Sequence, residues 1–335
     1  MTERPPLELR ALRVFVEVAT SGSMTVAANR LGLTQSAVSQ AVRRLEAALG
    51  VTLVLRGSRP TALTEAGDLL HRRAEPLLRE ATQLAHAVAE AAGTPAHELR
   101  LGLVDTFAST AGPELIRRLT GTATRVVVWS GLAPSLGAAL IGRQVGAIVT
   151  SDPLEDLDDL LRFPLWREPF VLLLPRAMPV PDLSTSASLR QLASVLPMIR
   201  YSARSHTGMQ IERHLRRIGC DSERRVEIDG SDALVAMVAT GIGWAITTPL
   251  CLLQGAANAA ATRAVALPAP GFSRTLSLLC RADGPAALAA RAAGAAADAL
   301  FSVCLPRLRA LAPDLAEAVA LLGTGTHDHF HEARP

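Results

Sequence analysis

The 335-residue chain contains no lysine: all 34 of its basic residues are arginine. That reads first as an arginine-biased coding sequence and only second as a preference for phosphate contacts. Aromatic residues make up only 3% of the chain, so its cores must be built from the alanine, leucine and valine that dominate a 49% hydrophobic composition. Four cysteines, Cys220, Cys251, Cys280 and Cys304, stand far apart with no C-x-x-C pair. Their spacing excludes a thiolate metal site and leaves buried, reduced thiols as the expectation. No run of roughly 18 apolar residues is uninterrupted, as a membrane span requires. The start, MTERPPLELR, lacks the apolar segment of a secretory leader. A cytoplasmic protein with no membrane association is therefore expected. G-x-S-x-G, the phosphate loop and H-E-x-x-H are all missing, so the expectation is no enzyme, no catalytic residues, no metal and no cofactor.

What is present begins with Thr34–Gly50, TQSAVSQAVRRLEAALG. At 3.6 residues per turn, Val38, Val42, Leu45 and Leu49 fall on one face. Gln35, Ser36, Ser39, Gln40 and Arg43 fall on the other. A solvated helix usually mixes acids with its bases for i,i+4 support. This face offers amides, hydroxyls and guanidinium instead, the groups that read base edges and hold phosphates. Upstream, Leu9, Leu12, Phe15, Val16 and Ala19 give a helix with one apolar stripe, broken at Ser21-Gly22-Ser23. Ser23 can cap a short helix through Leu31, and Gly32-Leu33-Thr34 makes a tight turn. Helix, short helix, turn and polar-faced helix form a helix-turn-helix pattern whose last element reads DNA. A β-prone run at 51–56, a turn at Gly57-Ser58-Arg59-Pro60, and Thr61-Ala62-Leu63 read as a two-stranded wing. From Met1 to Thr64 eight arginines face four glutamates, so this segment holds more than the whole chain's net charge of +3.

The stretch from about Leu7 to Gly67, through FVEVATSGSMTVAANRLGLTQSAVSQAVRRLEAALGVTLVLR and LTEAG, closely resembles the DNA-binding domain of LysR-type transcriptional regulators. Ser36 stands where that family often has proline, and Val54 where it often has phenylalanine. The resemblance and the polar face together nominate Gln35, Ser36, Ser39 and Gln40 for bases. Ser23, Thr25, Thr34, Arg43, Arg44, Arg56 and Arg59 are nominated for the phosphate backbone.

From Thr64 to about Ala91, Leu70, Ala74, Leu77, Ala81, Leu84 and Val88 recur at four-three spacing, the seam of a coiled coil. Pro76 predicts a kink near Arg72. The seam reads as a dimer helix, and the resemblance implies the same use, with a dimer or tetramer on double-stranded promoter DNA.

After Ala92-Gly93-Thr94-Pro95, read as a hinge, short apolar runs alternate with helical patterns. This predicts parallel sheets wrapped by helices. Ile228-Asp229-Gly230-Ser231 and Leu234–Gly243 resemble the family's effector domain, two Rossmann-like α/β lobes of periplasmic-binding-protein type. The expected organisation is an N-terminal all-α winged helix-turn-helix at 1–64, a long linker helix at 65–92, and a C-terminal α/β effector domain at 93–305. Lobe I would hold about 97–167 and 271–305, and lobe II about 168–270. The family often has aspartate where Gly146 stands, so that feature does not transfer.

Ligands in open α/β sheets sit beyond the C-terminal strand ends. That rule picks Asp105, Thr106, Ser109, Ser130, Thr150, Ser202, Arg204, Thr247 and Thr248. Hydroxyls with one guanidinium suit a small polar or carboxylate-bearing metabolite, with Arg204 as its ion-pair partner. Asp105 fits such a ligand only if it meets an amine or faces away. A helix at Ala310–Leu322 and a disordered end carrying His327, Asp328, His329 and His331 are expected for the extension at 306–335, with no metal bound there. The competing readings are a DNA-organising protein or repressor without a ligand, and a cytosolic small-molecule-binding α/β protein.

Overall fold

In the computed structural model the described residues are 7–55, 60–91, 96–121, 123–180, 183, 185–220 and 225–322. Their contacts divide the chain into two units, Met1–Thr94 and Pro95–Pro335.

The first unit opens with α1 (Leu9–Ser21), α2 (Met24–Leu31) and α3 (Gln35–Leu49). Gly32 ends α2 at φ 65°, a left-handed conformation that only a residue without Cβ adopts freely. Ser23 and Thr34 cap the next two helices, their hydroxyl oxygens accepting from the Val26 and Ala37 N–H groups. Leu12, Phe15 and Val18 of α1 meet Ala27 and Ala28 of α2 and Val38, Val42 and Leu45 of α3 in one buried core. The wing is β1 (Val54–Leu55) antiparallel to β2 (Ala62–Leu63). Its first strand starts later than the β-prone run at 51–56 predicts. The Val51 N–H bonds back to the Glu46 carbonyl, and the Glu46 carboxylate takes the Leu53 and Val54 N–H groups at 2.8 and 3.2 Å. Arg56 and Arg59 fall outside the described residues.

Helix α4 (Glu65–Ala91) starts on the Thr64 hydroxyl and stays helical through Pro76. Its apolar seam divides. Leu70, Ala74 and Leu78 pack into the core of the first unit, while Leu77, Leu84 and Val88 are exposed. The first half is thus folded onto its own domain, which the uniform four-three spacing could not reveal.

The second unit begins with β3 (Ala96–Val104), α5 (Asp105–Thr110), α6 (Gly112–Leu119), β4 (Ala123–Gly131), α7 (Ala133–Ile141), β5 (Ala147–Thr150) and β6 (Leu160–Pro169). It continues with β7 (Val171–Pro175), α8 (Ser186–Val195), β8 (Ile199–Tyr201), α9 (His206–Arg217), β9 (Val226–Ile228), α10 (Ser231–Ala239) and β10 (Ala245–Thr247). Then follow α11 (Pro249–Gln254), α12 (Ala256–Ala259), β11 (Thr262–Ala266), β12 (Ser273–Arg281) and α13 (Ala286–Ala299). The last described elements are α14 (Leu305–Leu311), α15 (Pro313–Glu317) and β13 (Ala320–Leu321).

The expectation of parallel sheets is corrected. The six-stranded sheet runs β13-β6-β12-β5-β3-β4, and only the β3/β4 and β3/β5 pairs are parallel. Strands β12 and β6 enter it antiparallel. In the other lobe, β10-β7-β11 is wholly antiparallel, β8-β9 is parallel, and a bridge between Met198 and Trp244 joins the two. Strands β6 and β12 pass side by side between the lobes, where the Phe170 and Phe272 rings stack at 4.0 Å.

The extension also differs from expectation. Residues 310–322 form no single helix; α14 ends at Leu311, and β13 pairs with β6 through Leu321↔Trp166. Between α13 and α14 the helix widens to a π turn at Leu300–Cys304, just before Pro306, whose ring would meet the carbonyl four residues back in regular α-helix. The continuous helix Ala286–Leu311 is long and apolar enough to cross a membrane by length and composition. Its alanine face, Ala289, Ala292, Ala293 and Ala296, is buried in the main core. The histidines at 327, 329 and 331 lie outside the described residues.

Candidate DNA-reading face and ligand cleft

In the first unit, burial of Val38, Ala41, Val42 and Leu45 turns the rest of α3 outward. Gln35, Ser36, Gln40, Arg43 and Arg44 are exposed, and Ser39 is half-buried beside them. Arg43 and Arg44 have no acidic partner among the described residues, since Glu46 is spent on the wing backbone. Thr25 is exposed on α2. The oxygens of Ser23 and Thr34 serve as helix caps, and Thr34 Oγ1 also sits 3.0 Å from Ser36 Oγ. Sequence reasoning thus brings nine described residues to one polar surface, two of which also hold their own helices.

In the second unit a cleft of about 490 Å³, open mouth included, lies between the lobes. The first residues of α5, α7, α9 and α10 all line it, so four helix N-termini converge there. Its remaining lining includes Tyr201, Asp229, Cys251, Gln254 and Arg274. Ser205 caps α9 through the Gly208 N–H at 2.9 Å. A Cβ on Gly208 would lie 2.2 Å from the Ser202 carbonyl, so this tight entry into α9 requires glycine.

Of the nine residues nominated for the ligand, Asp105 and Thr106 line the cleft and the other seven do not. The Ser109 hydroxyl donates to the Asp105 carbonyl one helical turn back. Ser130 is exposed on β4, and Thr150 is buried with its hydroxyl accepting from the Asp152 N–H. Ser202 accepts from the Arg204 N–H, and Arg204 reaches out to Asp229 at 2.5 Å with 76% of its side chain exposed. Thr247 lies behind Tyr201, hydroxyl to hydroxyl at 2.9 Å. Thr248 lies behind Arg274, accepting from Nη2 at 2.8 Å while capping α11. Local capping and turn chemistry therefore claims most of these hydroxyls.

The groups that sequence reasoning missed are the charged centre and two unsatisfied atoms. Glu168 of β6 and Arg274 of β12 are register partners, with side chains 0% and 3% exposed. Arg274 Nε donates to Glu168 Oε1 at 2.8 Å, Nη1 to Thr207 Oγ1 at 2.8 Å, and Nη2 to Thr248 Oγ1 and to Cys251 Sγ. Glu168 Oε2 accepts from the Trp166 indole N–H at 3.1 Å and the Leu250 N–H at 2.8 Å. Burial works against the Arg274 charge, but the facing Cys251 sulfur and Glu168 carboxylate outweigh it and hold the guanidinium's pKa above its usual value. Tyr201 is pushed well up, by burial first and by Cys251 second.

His206 sits at the cleft with Nδ1 3.3 Å from Asp152 Oδ2. Burial lowers its pKa and favours the neutral ring, and Asp152 opposes this only in part. Its Nε2 is buried with no hydrogen-bond partner, and so is Gln254 Oε1. A charged residue inside an apolar strand, as in Ser273-Arg274-Thr275-Leu276, was the available signal for Arg274. The strand-end rule overlooked it because β12 runs antiparallel, so its beginning lies at the edge where the parallel strands end.

Comparison with known proteins adds the following. The family described as "Bacterial regulatory helix-turn-helix protein, lysR family" matches residues 9–68, and that described as "LysR substrate binding domain" matches residues 92–301. A probable RuBisCO transcriptional regulator of Cyanophora paradoxa is 27% identical over 260 residues, covering 73% of this chain and 78% of that protein. Among solved structures, a full-length OxyR variant from Pseudomonas aeruginosa matches with a TM-score of 0.62 at 22% identity, over 94% of this chain and 98% of that one. Full-length CbnR complexed with its target DNA matches with a TM-score of 0.58 at 20% identity, over 88% and 100%. At these identities the structural matches speak for the fold.

Proposed function

From the premise that the chain belongs to the LysR family of DNA-binding transcriptional regulators, we propose how its own residues carry out that role. Helix α3 enters a major groove, with Gln35, Ser36, Ser39 and Gln40 on base edges. Arg43, Arg44, Thr25, and the hydroxyl protons of Ser23 and Thr34 hold phosphates, and by the sequence alone Arg56 and Arg59 are assigned the same role. Two chains pair through the exposed Leu77, Leu84 and Val88 of α4, which sets two reading helices on one palindromic site. We assign residues 1–64 to DNA reading, 65–92 to pairing, and 93–305 to effector binding. The cleft takes a small effector, and its occupancy shifts the balance between lobe arrangements and so the state of the bound promoter. Acting on promoter DNA, the protein works in the cytoplasm, and we read the cleft as a binding site without catalysis.

The observation that carries the effector half is the pair of buried polar atoms without partners, His206 Nε2 and Gln254 Oε1, both on residues lining the cleft. An unsatisfied buried polar group costs about 1–3 kcal/mol, which a ligand filling the site recovers. The test of the DNA half is a mobility-shift titration of the full chain on its own upstream DNA and on unrelated duplex. Gln35→Ala is expected to lower the discrimination between them by about 1–3 kcal/mol. Equal weakening on both duplexes would remove Gln35 from base reading.

A further inference from the structure

The cleft narrows the chemistry of its ligand beyond a small polar or carboxylate-bearing metabolite. This step rests on the reading of the cleft as the effector site. Among the described residues, Arg274 is the only cationic side chain lining it, and it is already engaged. Its three nitrogens donate to Glu168, Thr207, Thr248 and Cys251, with the side chain only 3% exposed. Pulling it toward a ligand carboxylate would leave Glu168 buried and short of its counter-ion, which is strongly unfavourable. Arg204, the other cation near this edge, pairs with Asp229 and does not line the cleft.

The lining side-chain atoms left buried without a partner are both acceptors. With Nδ1 turned to the Asp152 carboxylate, that nitrogen carries the proton, and the neutral ring presents Nε2 as a lone-pair acceptor. Gln254 Oε1 is a second acceptor without a donor. Asp105 adds a carboxylate, which only accepts. The charge count agrees: the lining and its direct partners comprise four carboxylates, Asp105, Asp152, Glu168 and Asp229, against two guanidiniums, Arg204 and Arg274.

We propose that the effector presents a protonated amine to this cleft, its charge met by Asp105 and its N–H groups received by His206 Nε2 and Gln254 Oε1. The amine supplies the donors that these two atoms lack, and it leaves the Glu168–Arg274 pair intact.

The experiment uses the purified full chain, refolded or dialysed free of bound small molecules. Calorimetric titration compares propylamine, putrescine, β-alanine, free lysine and free arginine with propionate and succinate. Amine-bearing probes are expected to bind, and Asp105→Asn to weaken them about tenfold or more, the value of a charge-assisted contact. Gln254→Leu, which removes an acceptor without touching a charge, is expected to weaken the same probes. Binding of propionate or succinate alone, unchanged or tightened by Asp105→Asn, would overturn the amine assignment and leave the cleft as the effector site. Absence of binding by every probe of either sign would overturn both.

Discussion

The Glu168–Arg274 pair allows a quantitative test of how the second unit is held together. Replacing Arg274 with methionine keeps most of the side-chain volume and removes the guanidinium. Glu168 then remains fully buried, retaining the Trp166 and Leu250 donors but losing its counter-charge. Thr207 and Thr248 lose a donor as well. Breaking one side of a buried pair costs about 3–5 kcal/mol. For a unit of this size each kcal/mol moves the midpoint by about 2–4 °C, so Arg274→Met should lower it by roughly 10 °C. Glu168→Gln in the same background removes the stranded charge, while its amide oxygen still accepts from Trp166 and Leu250. The double variant should therefore recover about 2 kcal/mol or more. Tryptophan fluorescence follows this directly, because Trp129, Trp166 and Trp244 all belong to the second unit. A loss below about 1 kcal/mol for Arg274→Met, or a double variant as unstable as the sum of the two singles, would refute the account.

Arg43→Ala should weaken specific and random duplexes alike and reduce the slope of log K against log salt by about 1, measured by anisotropy across a salt series. A loss confined to the specific site would make Arg43 a base reader. Leu84→Glu combined with Val88→Glu places charge on the exposed half of the α4 seam and should convert dimers to monomers in sedimentation velocity; unchanged mass would remove that seam from pairing. His206 and His214 both have pKa values lowered from 6.5, chiefly by burial, so the unfolded chain binds more protons in the window just below that value. Stability should fall as pH drops through 6.5. His206→Gln should flatten part of that slope in thermal melts, and adding His214→Gln should flatten more; an unaltered slope would show that neither ring titrates on unfolding.

Legibility from the sequence differed between the two units for a physical reason. In the first, each helix carries one apolar stripe into one small core, so periodicity at 3.6 residues separates the buried face of α3 from its polar face directly. Its caps are local as well: Ser23 and Thr34 act on residues three positions ahead. The long seam of α4 was legible as apolar but not as divided, because Ala74 and Leu84 look alike in spacing and only the tertiary core buries the first of them. In the second unit the short apolar runs at 99–104, 147–150, 170–174 and 276–280 fall on β3, β5, β7 and β12, but strand direction leaves no trace in such a pattern. The antiparallel entry of β12 is what brings Arg274 to the cleft. Strand β6, with Arg162, Arg167 and Glu168 among its apolar residues, was too charged to read as a buried strand. Its pairing with β12 places Glu168 opposite Arg274, across a separation of 106 positions.

That pairing also explains why the missed residues matter more to the cleft than the nominated hydroxyls do. Glu168 and Arg274 sit on the two strands that pass between the lobes, close to the stacked Phe170 and Phe272 rings. From there Glu168 holds the start of α11 through the Leu250 N–H, and Arg274 holds the start of α9 through Thr207. One ion pair therefore joins both crossing strands to two helix N-termini of the same lobe, and Arg274 is also a residue of the cleft lining. A ligand that competed for Arg274 would loosen those connections together. A ligand that binds Asp105 on the facing lobe leaves them in place, so the free energy of binding goes into drawing one lobe toward a fixed wall rather than into dismantling that wall. The donor and acceptor balance of the cleft and the construction of its hinge thus favour the same kind of effector.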